Sequence, residues 1–484
     1  MHPCSGRSSS SCLSVGSSAL SAVIQSEATS TSCSSSLSSP CLSNSSQGAG
    51  RLCKNEAVVP RLLRLCSVYL ILLALCPPTS AYSVLTHEEV IDLAWDHDIV
   101  PLIKARFPDA TDDDLKEAHA YAYGGAVIQD LGYYPFGNRT FSDLVHYVRS
   151  GDFVVNLINE SDSINEYAFA LGALAHYASD ITGHPIVNQA VAIEFPKLRA
   201  KYGRVVTYAE DHSAHLEVEF GFDVSQVAKG RYAPQSYHDF IGFEVSKPLL
   251  ERAFKDTYGI EITSVITHED LALGTYRRSV SKIIPEMTRV AVASREDEMK
   301  KEIPDYNRQK FLYRLSRAQY EKQWGKQYQK PGAGARILAV VLKIFPHIGP
   351  FRGLAYKNPT PQTQDLYFKS VNSTYDYYTQ LTEQLRNGEV TLHAMDLDTG
   401  KPTRPGEYSL SDSTYAELVN RLTSQDNAEI TPDLREALLT YFSDHDGKPV
   451  ALKDPKKQAQ LESDLQKLKA APPQSAAQTT SSSH

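Results

Sequence analysis

The stretch Ala168 to Pro185, AFALGALAHYASDITGHP, constrains this chain more than any other. His176, Asp180 and His184 recur every four residues, so on an unbroken helix each is rotated only about 40° from the last and the three share one face. Phe169, Leu171, Leu174 and Ala175 precede or surround them, with Gly and Ala between, and this predicts a deeply packed helix. Buried His and Asp side chains need partners. For this window alone two readings stand: a metal-binding face, or a core helix whose polar groups are satisfied by hydrogen bonds.

Cysteine placement narrows the chemistry. All seven (Cys4, Cys12, Cys33, Cys41, Cys53, Cys66 and Cys76) lie ahead of the organising helix, so the rest of the chain has neither disulfides nor thiolate ligands. Any metal site there must use His, Asp and Glu, the set suited to hydrolytic zinc. With a net charge of -8, the chain has no basic excess to neutralise phosphates, so no specific nucleic-acid partner is expected. Its 484 residues leave room for two or three domains.

Residues 1–60 are dominated by Ser and lack an apolar period, so they read as a disordered leader. Arg61 and Arg64 then precede an apolar run from Leu65 to Cys76, followed by Pro77, Pro78, Thr79, Ser80 and Ala81. The run is shorter than the roughly 20 residues needed to span a bilayer and ends in small residues, which is the outline of a signal peptide. This predicts cleavage after Ala81 and a secreted or periplasmic protein.

Beyond Tyr82, helical periodicity recurs. Thr86 is the expected N-cap of a helix with Glu89 three residues on, which places His87 in its first turn. Leu115 to Ile128 reads as a helix, and Asp130 stands where it passes into a Gly- and Pro-containing loop. Phe141 to Val148 sets His146 in an apolar helix, and Asp211 to Phe222 places His215 and Glu219 one turn apart. His-x3-Asp and His-x3-Glu spacings let one rigid helix deliver two ligands to one ion. The candidate metal ligands are therefore His87, Asp130, His146, His176, Asp180, His184, His215 and Glu219. His212 is the rival of His215; His97 lies in a surface-like Asp-His-Asp run, and His119 reads as a core residue.

The ordered set THEEV, QDLGYYPFG, FSDLVHY, HYASD, TGHP and HLEVE resembles the zinc-dependent phospholipase C family, an all-α fold shared with single-strand-specific zinc nucleases. The resemblance covers about residues 82–225. It implies that Asp130, His146, His176 and Asp180 hold one zinc ion, that His184, His215 and Glu219 hold a second, and that the amino-terminal residue, His87 and a bridging Asp180 hold a third. Secreted bacterial members begin with Trp, whereas this mature chain would begin near Tyr82, and their spacing between Asp and His is longer than that from Asp180 to His184. Both features are similar to the branch that includes the amino-terminal domain of glycosylphosphatidylinositol phospholipase D.

A helical domain is expected over 82–330, with a helical carboxy-terminal extension over 331–452 and a disordered tail over 453–484. Ala335 to Leu354 is strongly apolar with spaced Arg and Lys, and reads either as a lipid-surface segment or, preferably, as a buried helix. A Gly- and Pro-rich linker is expected near Thr399 to Gly406. Together with these features, the resemblance implies an exported, all-α, zinc-dependent phosphodiester hydrolase, most like phospholipase C, carrying two or three Zn2+ ions, with phospholipid as substrate and transient contact with a membrane surface. Asp130 is the candidate for orienting or deprotonating the attacking water. Tyr133, Tyr134 and Tyr177 are candidates for the base or head-group contact. The alternatives are a single-strand nuclease on the same fold and a non-catalytic, zinc-containing surface- or lipid-binding protein.

Overall fold

A computed structural model describes residues 84–294 and 356–470, apart from 234, 389, 426–427 and 444–449. The predicted leader, the signal peptide, residue 82 and the apolar segment Ala335 to Leu354 lie outside the described residues. Within them the chain is all-α save for one two-stranded hairpin.

The helices run in chain order as α1 (Val84–Ala94), α2 (Val100–Arg106), α3 (Asp112–Ala126), α4 (Arg139–Tyr147), α5 (Ser150–Asn159), α6 (Ile164–Glu194), α7 (Pro196–Tyr202) and α8 (His212–Ala228). They continue as α9 (Gln235–Ile241), α10 (Lys247–Tyr258), α11 (Glu269–Arg278), α12 (Ile284–Ser294) and α13 (Pro361–Arg386). The hairpin β1 (Met395–Asp396) and β2 (Lys401–Pro402) follows, then α14 (Ser409–Ser424), α15 (Pro432–Ser443) and α16 (Pro455–Ala470).

The organising helix is α6. Ser163 caps its start by accepting from the Glu166 amide at 3.2 Å. It is apolar on most sides, as a helix enclosed by others must be, and it runs on past Pro185 to Glu194. Its main neighbour, α3, begins with a capping box in which Thr111 and Asp114 satisfy each other's backbone amides. The two helices cross almost backbone to backbone. A Cβ on Gly172 would strike the Ala122 carbonyl, and one on Gly125 would strike the Phe169 carbonyl. That close approach carries the α3 backbone to His176.

On another side of α6 lies α13, where Tyr378 donates to the Leu171 carbonyl at 3.1 Å. Pro185 sits inside α6 and has no amide to offer the Ile181 carbonyl. Gly400, at φ 66°, packs against that carbonyl where any side chain would collide.

Four local expectations change. Thr86 lies within α1 and does not cap it; its hydroxyl donates to Asp223 Oδ1 at 2.9 Å, in a buried network with Tyr232 and Tyr367. Asp130 lies in a 3-10 helix (Ile128–Tyr133), which tightens the exit from α3 in place of an open loop. The expected linker near Thr399 to Gly406 is the hairpin and its continuation, held by Leu397 N–H donating to the His146 carbonyl at 3.2 Å. Pro455–Ala470 is helical where a disordered tail was expected, because Leu461 and Leu468 are buried and Asp464 accepts from Asn420 at 2.8 Å. No described helix is long and apolar enough to cross a membrane.

Candidate metal centre

The eight candidate ligands come from α1, the 3-10 turn, α4, α6 and α8, and none is more than 2% exposed. They fall into three groups whose donor atoms lie within 4.8 Å of one another: His87, His176 and Asp180; Asp130, His146 and His176; and His184, His215 and Glu219. Asp180 lies among them. Its Oδ2 is 3.0 Å from His176 Nε2 and 3.3 Å from His146 Nε2. Its Oδ1 is 3.7 Å from Nε2 of both His87 and His184.

Hydrogen bonding on the far side of each ring decides what the near side presents. His146 Nδ1 donates to the Ser142 carbonyl at 2.8 Å, and His176 Nδ1 donates to the Ala126 carbonyl at 2.9 Å. A carbonyl only accepts, so Nδ1 carries the proton and each Nε2 turns a lone pair inward. These two nitrogens are 3.4 Å apart, and His146 Nε2 is also 3.5 Å from Asp130 Oδ1. Lone pairs and carboxylate oxygens therefore converge. No Lys or Arg among the described residues pairs with Asp130, Asp180 or Glu219. Neither Asp180 oxygen nor either ring nitrogen of His184 makes a well-formed hydrogen bond among the described residues. A buried set of this kind is favourable only around positive charge, and a divalent cation fits its donor chemistry.

The third group is built differently. His215 Nε2 donates to Asn188 Oδ1 at 2.6 Å and lies 3.1 Å from the Val206 carbonyl, so here Nδ1 is the inward atom, 3.2 Å from Glu219 Oε1. Asn188 in turn donates through Nδ2 to the Asp398 carbonyl at 2.9 Å, which fixes the orientation of its amide. The rings of His184 and His215 stack with centroids 5.9 Å apart.

Electrostatics follow the same geometry. Burial would raise the Asp180 carboxyl, but His176, His184 and His146 outweigh it and hold it well below the usual carboxylate range. Burial drives Asp130 well above that range; His146 opposes the shift, while Asp180 and Glu219 add to it. Burial, then His176, pushes His87 below its ordinary value. His146 is raised, because Asp180 and Asp130 overcome its burial. Protons and a cation therefore compete for one site, and metal binding there releases protons.

Above the ligands sits an aromatic roof. Tyr133 meets His146 edge-on at 6.3 Å between centroids, Tyr208 meets His215 edge-on at 6.0 Å, and the two tyrosine rings are 6.4 Å apart. The guanidinium of Arg139 lies 5.8 Å from the Tyr133 centroid and 5.5 Å from that of Tyr208. Exposure begins at this roof, since the Arg139 side chain is 47% exposed.

Every ligand candidate thus belongs to one of the three groups. His212 does not; it packs edge-on against Tyr208 at 4.2 Å. His97 is exposed, and His119 is a core residue stacked on Trp95 and 3.2 Å from Asp92. Of the three tyrosines proposed for head-group contact, only Tyr133 borders the site. Tyr134 packs on Tyr276, and Tyr177 donates to the His393 carbonyl at 2.9 Å, because their positions just after the 3-10 turn and on α6 turn them elsewhere.

Sequence reasoning missed Asn188, although it continues the four-residue series from His176 through His184 and so stands on the ligand face of α6. It also missed Arg139, Tyr208 and Asp398, for which no spacing signal exists.

No curated protein and no solved structure matches the chain. Residues 86–267 match the family model of zinc-dependent phospholipase C, a span that takes in all eight ligand candidates.

Proposed function

We propose that the protein is an exported zinc-dependent phospholipase C, carrying two or three zinc ions and cleaving the phosphodiester of a phospholipid. The observation that carries the reading is the meeting of three His/carboxylate groups at Asp180, inside the segment that matches the family. Asp130, His146, His176 and Asp180 would hold one ion; His184, His215 and Glu219 a second; His87 with Asp180 a third. When bound, zinc neutralises charge on phosphoryl oxygens and lowers the pKa of water toward neutrality.

The chain's own residues do the rest. Asp180 fixes the spacing of the groups through two oxygens that face different histidines. Carbonyls of Ser142 and Ala126 hold two rings in the tautomer that keeps Nε2 available. Asp130, raised by burial, is suited to take a proton from water at a carboxylate oxygen. Tyr133 and Tyr208 shield the groups from bulk water. Phe136 and Val205, 54% and 45% exposed, stand on the two loops leading to these tyrosines, which supports contact with a membrane surface during turnover.

The test uses protein purified without chelator. Elemental analysis should find two or three zinc ions per chain, and the protein should release diacylglycerol and a phosphorylated head group from phospholipid while leaving single-stranded DNA intact. Fewer than one zinc per chain, or diester cleavage that survives chelation, would refute it. Amino-terminal sequencing of the exported form should begin near Tyr82.

A further inference from the structure

We propose that Arg139 selects the head group, and that the preferred substrates are phospholipids whose head groups carry no positive charge. The inference rests on the phosphodiesterase reading above. Two tyrosine faces about one ring-width apart, as Tyr133 and Tyr208 are, form the kind of aromatic wall that attracts a quaternary ammonium. Here a fixed guanidinium already takes that place, within cation–π range of both rings. Its Nη2 donates to the Tyr208 hydroxyl at 3.0 Å, which holds the guanidinium beside that ring. A choline group entering the roof would meet a positive charge where it needs a bare aromatic face.

Arg139 keeps hydrogen-bonding capacity for a ligand. The Tyr208 bond is its single hydrogen bond to the described residues, whereas a guanidinium carries five N–H donors. Asp143 stands 3.9 Å from Nε, beyond hydrogen-bond range, and the Arg139 side chain is half exposed, so this pairing does little to neutralise it. Distance separates its role from that of the metal groups. Tyr133 and Tyr208 touch the ligand histidines, and Arg139 lies one ring layer further out. A phosphodiester engaged by the ligand groups would leave its head group, not its scissile phosphate, at that outer layer. The planar donors there suit a polyol or anionic group such as glycerol, inositol or a second phosphate.

Short-chain phosphatidylglycerol and phosphatidylcholine, given to the zinc-loaded full-length protein below their micellar concentrations, test the assignment. Native protein should show a kcat/KM for phosphatidylglycerol about tenfold or more above that for phosphatidylcholine, the range of a charge-assisted hydrogen bond. Arg139→Gln should lose most of that ratio with zinc content unchanged, and Arg139→Lys should recover part of it, since it restores charge without the planar fork. Equilibrium binding of the same lipids is measured in parallel. Absence of turnover with both lipids would overturn the phosphodiesterase reading, while the binding ratio still decides the role of Arg139. A native preference for phosphatidylcholine overturns the assignment. So does an equal loss on both lipids in Arg139→Gln, which would place Arg139 on the scissile phosphate.

Discussion

Replacing Asn188 by Ala removes a support from His215 without touching any candidate ligand. In the folded protein Asn188 Oδ1 lies 2.6 Å from His215 Nε2, and the Val206 carbonyl lies 3.1 Å from the same nitrogen. The variant keeps only the longer contact. The Nε2–H tautomer survives, so Nδ1 still faces Glu219, but the ring is free to tilt. Loss of such an outer partner typically costs about 10–100-fold in metal affinity, and the surviving Val206 contact places Asn188→Ala near the lower figure, roughly tenfold or about 1.4 kcal/mol. The Asp398 carbonyl also loses its donor, at a stability cost of about 1–3 kcal/mol, so thermal unfolding is recorded alongside. The assay is a competition titration of zinc against a chromophoric chelator. One zinc equivalent should weaken about tenfold while the others hold, because His146 and His176 take their support from Ser142 and Ala126. Unchanged affinity for every equivalent, or equal weakening of all, would show that Asn188 does not position His215.

Three further outcomes are expected. Asp180→Asn should cost more activity than Glu219→Gln at saturating zinc, by about 100-fold or more, because spacing errors near 1 Å have that effect and Asp180 faces four histidines; greater residual activity in Asp180→Asn, with both variants folded by circular dichroism, would exclude a bridging role. His215→Ala should lose one zinc by elemental analysis while His212→Ala keeps all, since His212 lies outside the ligand groups; equal loss in both would overturn the register of α8. Burial, reinforced by Asp398, pushes the Asp396 carboxyl from 3.8 up to about 8, so its contribution to stability is full below about pH 4 and is lost as pH rises toward 8. The melting temperature of Asp396→Asn should accordingly fall less between pH 5 and pH 8.5 than that of the native protein, and parallel profiles would count against the shift.

The legible part of this molecule was the part written in helical period. His176, Asp180 and His184 share a face because α6 is continuous, and His215 with Glu219 follows the same rule on α8. Single residues brought in by tertiary packing were harder. His87 and Asp130 have no paired spacing of their own, since each stands alone on its own segment, and only the ordered set resembling a known family implied which ion each would hold. Arg139 and Asp398 were invisible, because nothing local marks an Arg for a roof or a backbone carbonyl for an amide 210 residues away. Thr86 misled for a related reason: a hydroxyl that matches a cap pattern was claimed instead by the buried Asp223. The helix at Pro455–Ala470 was missed because its polar composition hides a sparse apolar stripe at Leu461 and Leu468.

The anchoring of Asn188 on the hairpin also sets an order of events during synthesis. Every candidate ligand has been made once Glu219 emerges, yet the carbonyl that orients Asn188 belongs to Asp398, 210 residues after it in the chain. At about 5–20 residues per second, that interval is roughly 10–40 s. We therefore expect the Asp180 side of the site to be competent for metal before the His215 side, which waits for the hairpin to close. In refolding of the full chain followed with a zinc indicator, uptake should show two phases, and Glu219→Gln should remove the later one. Uptake in a single phase would mean that docking of the hairpin does not gate the His215 side.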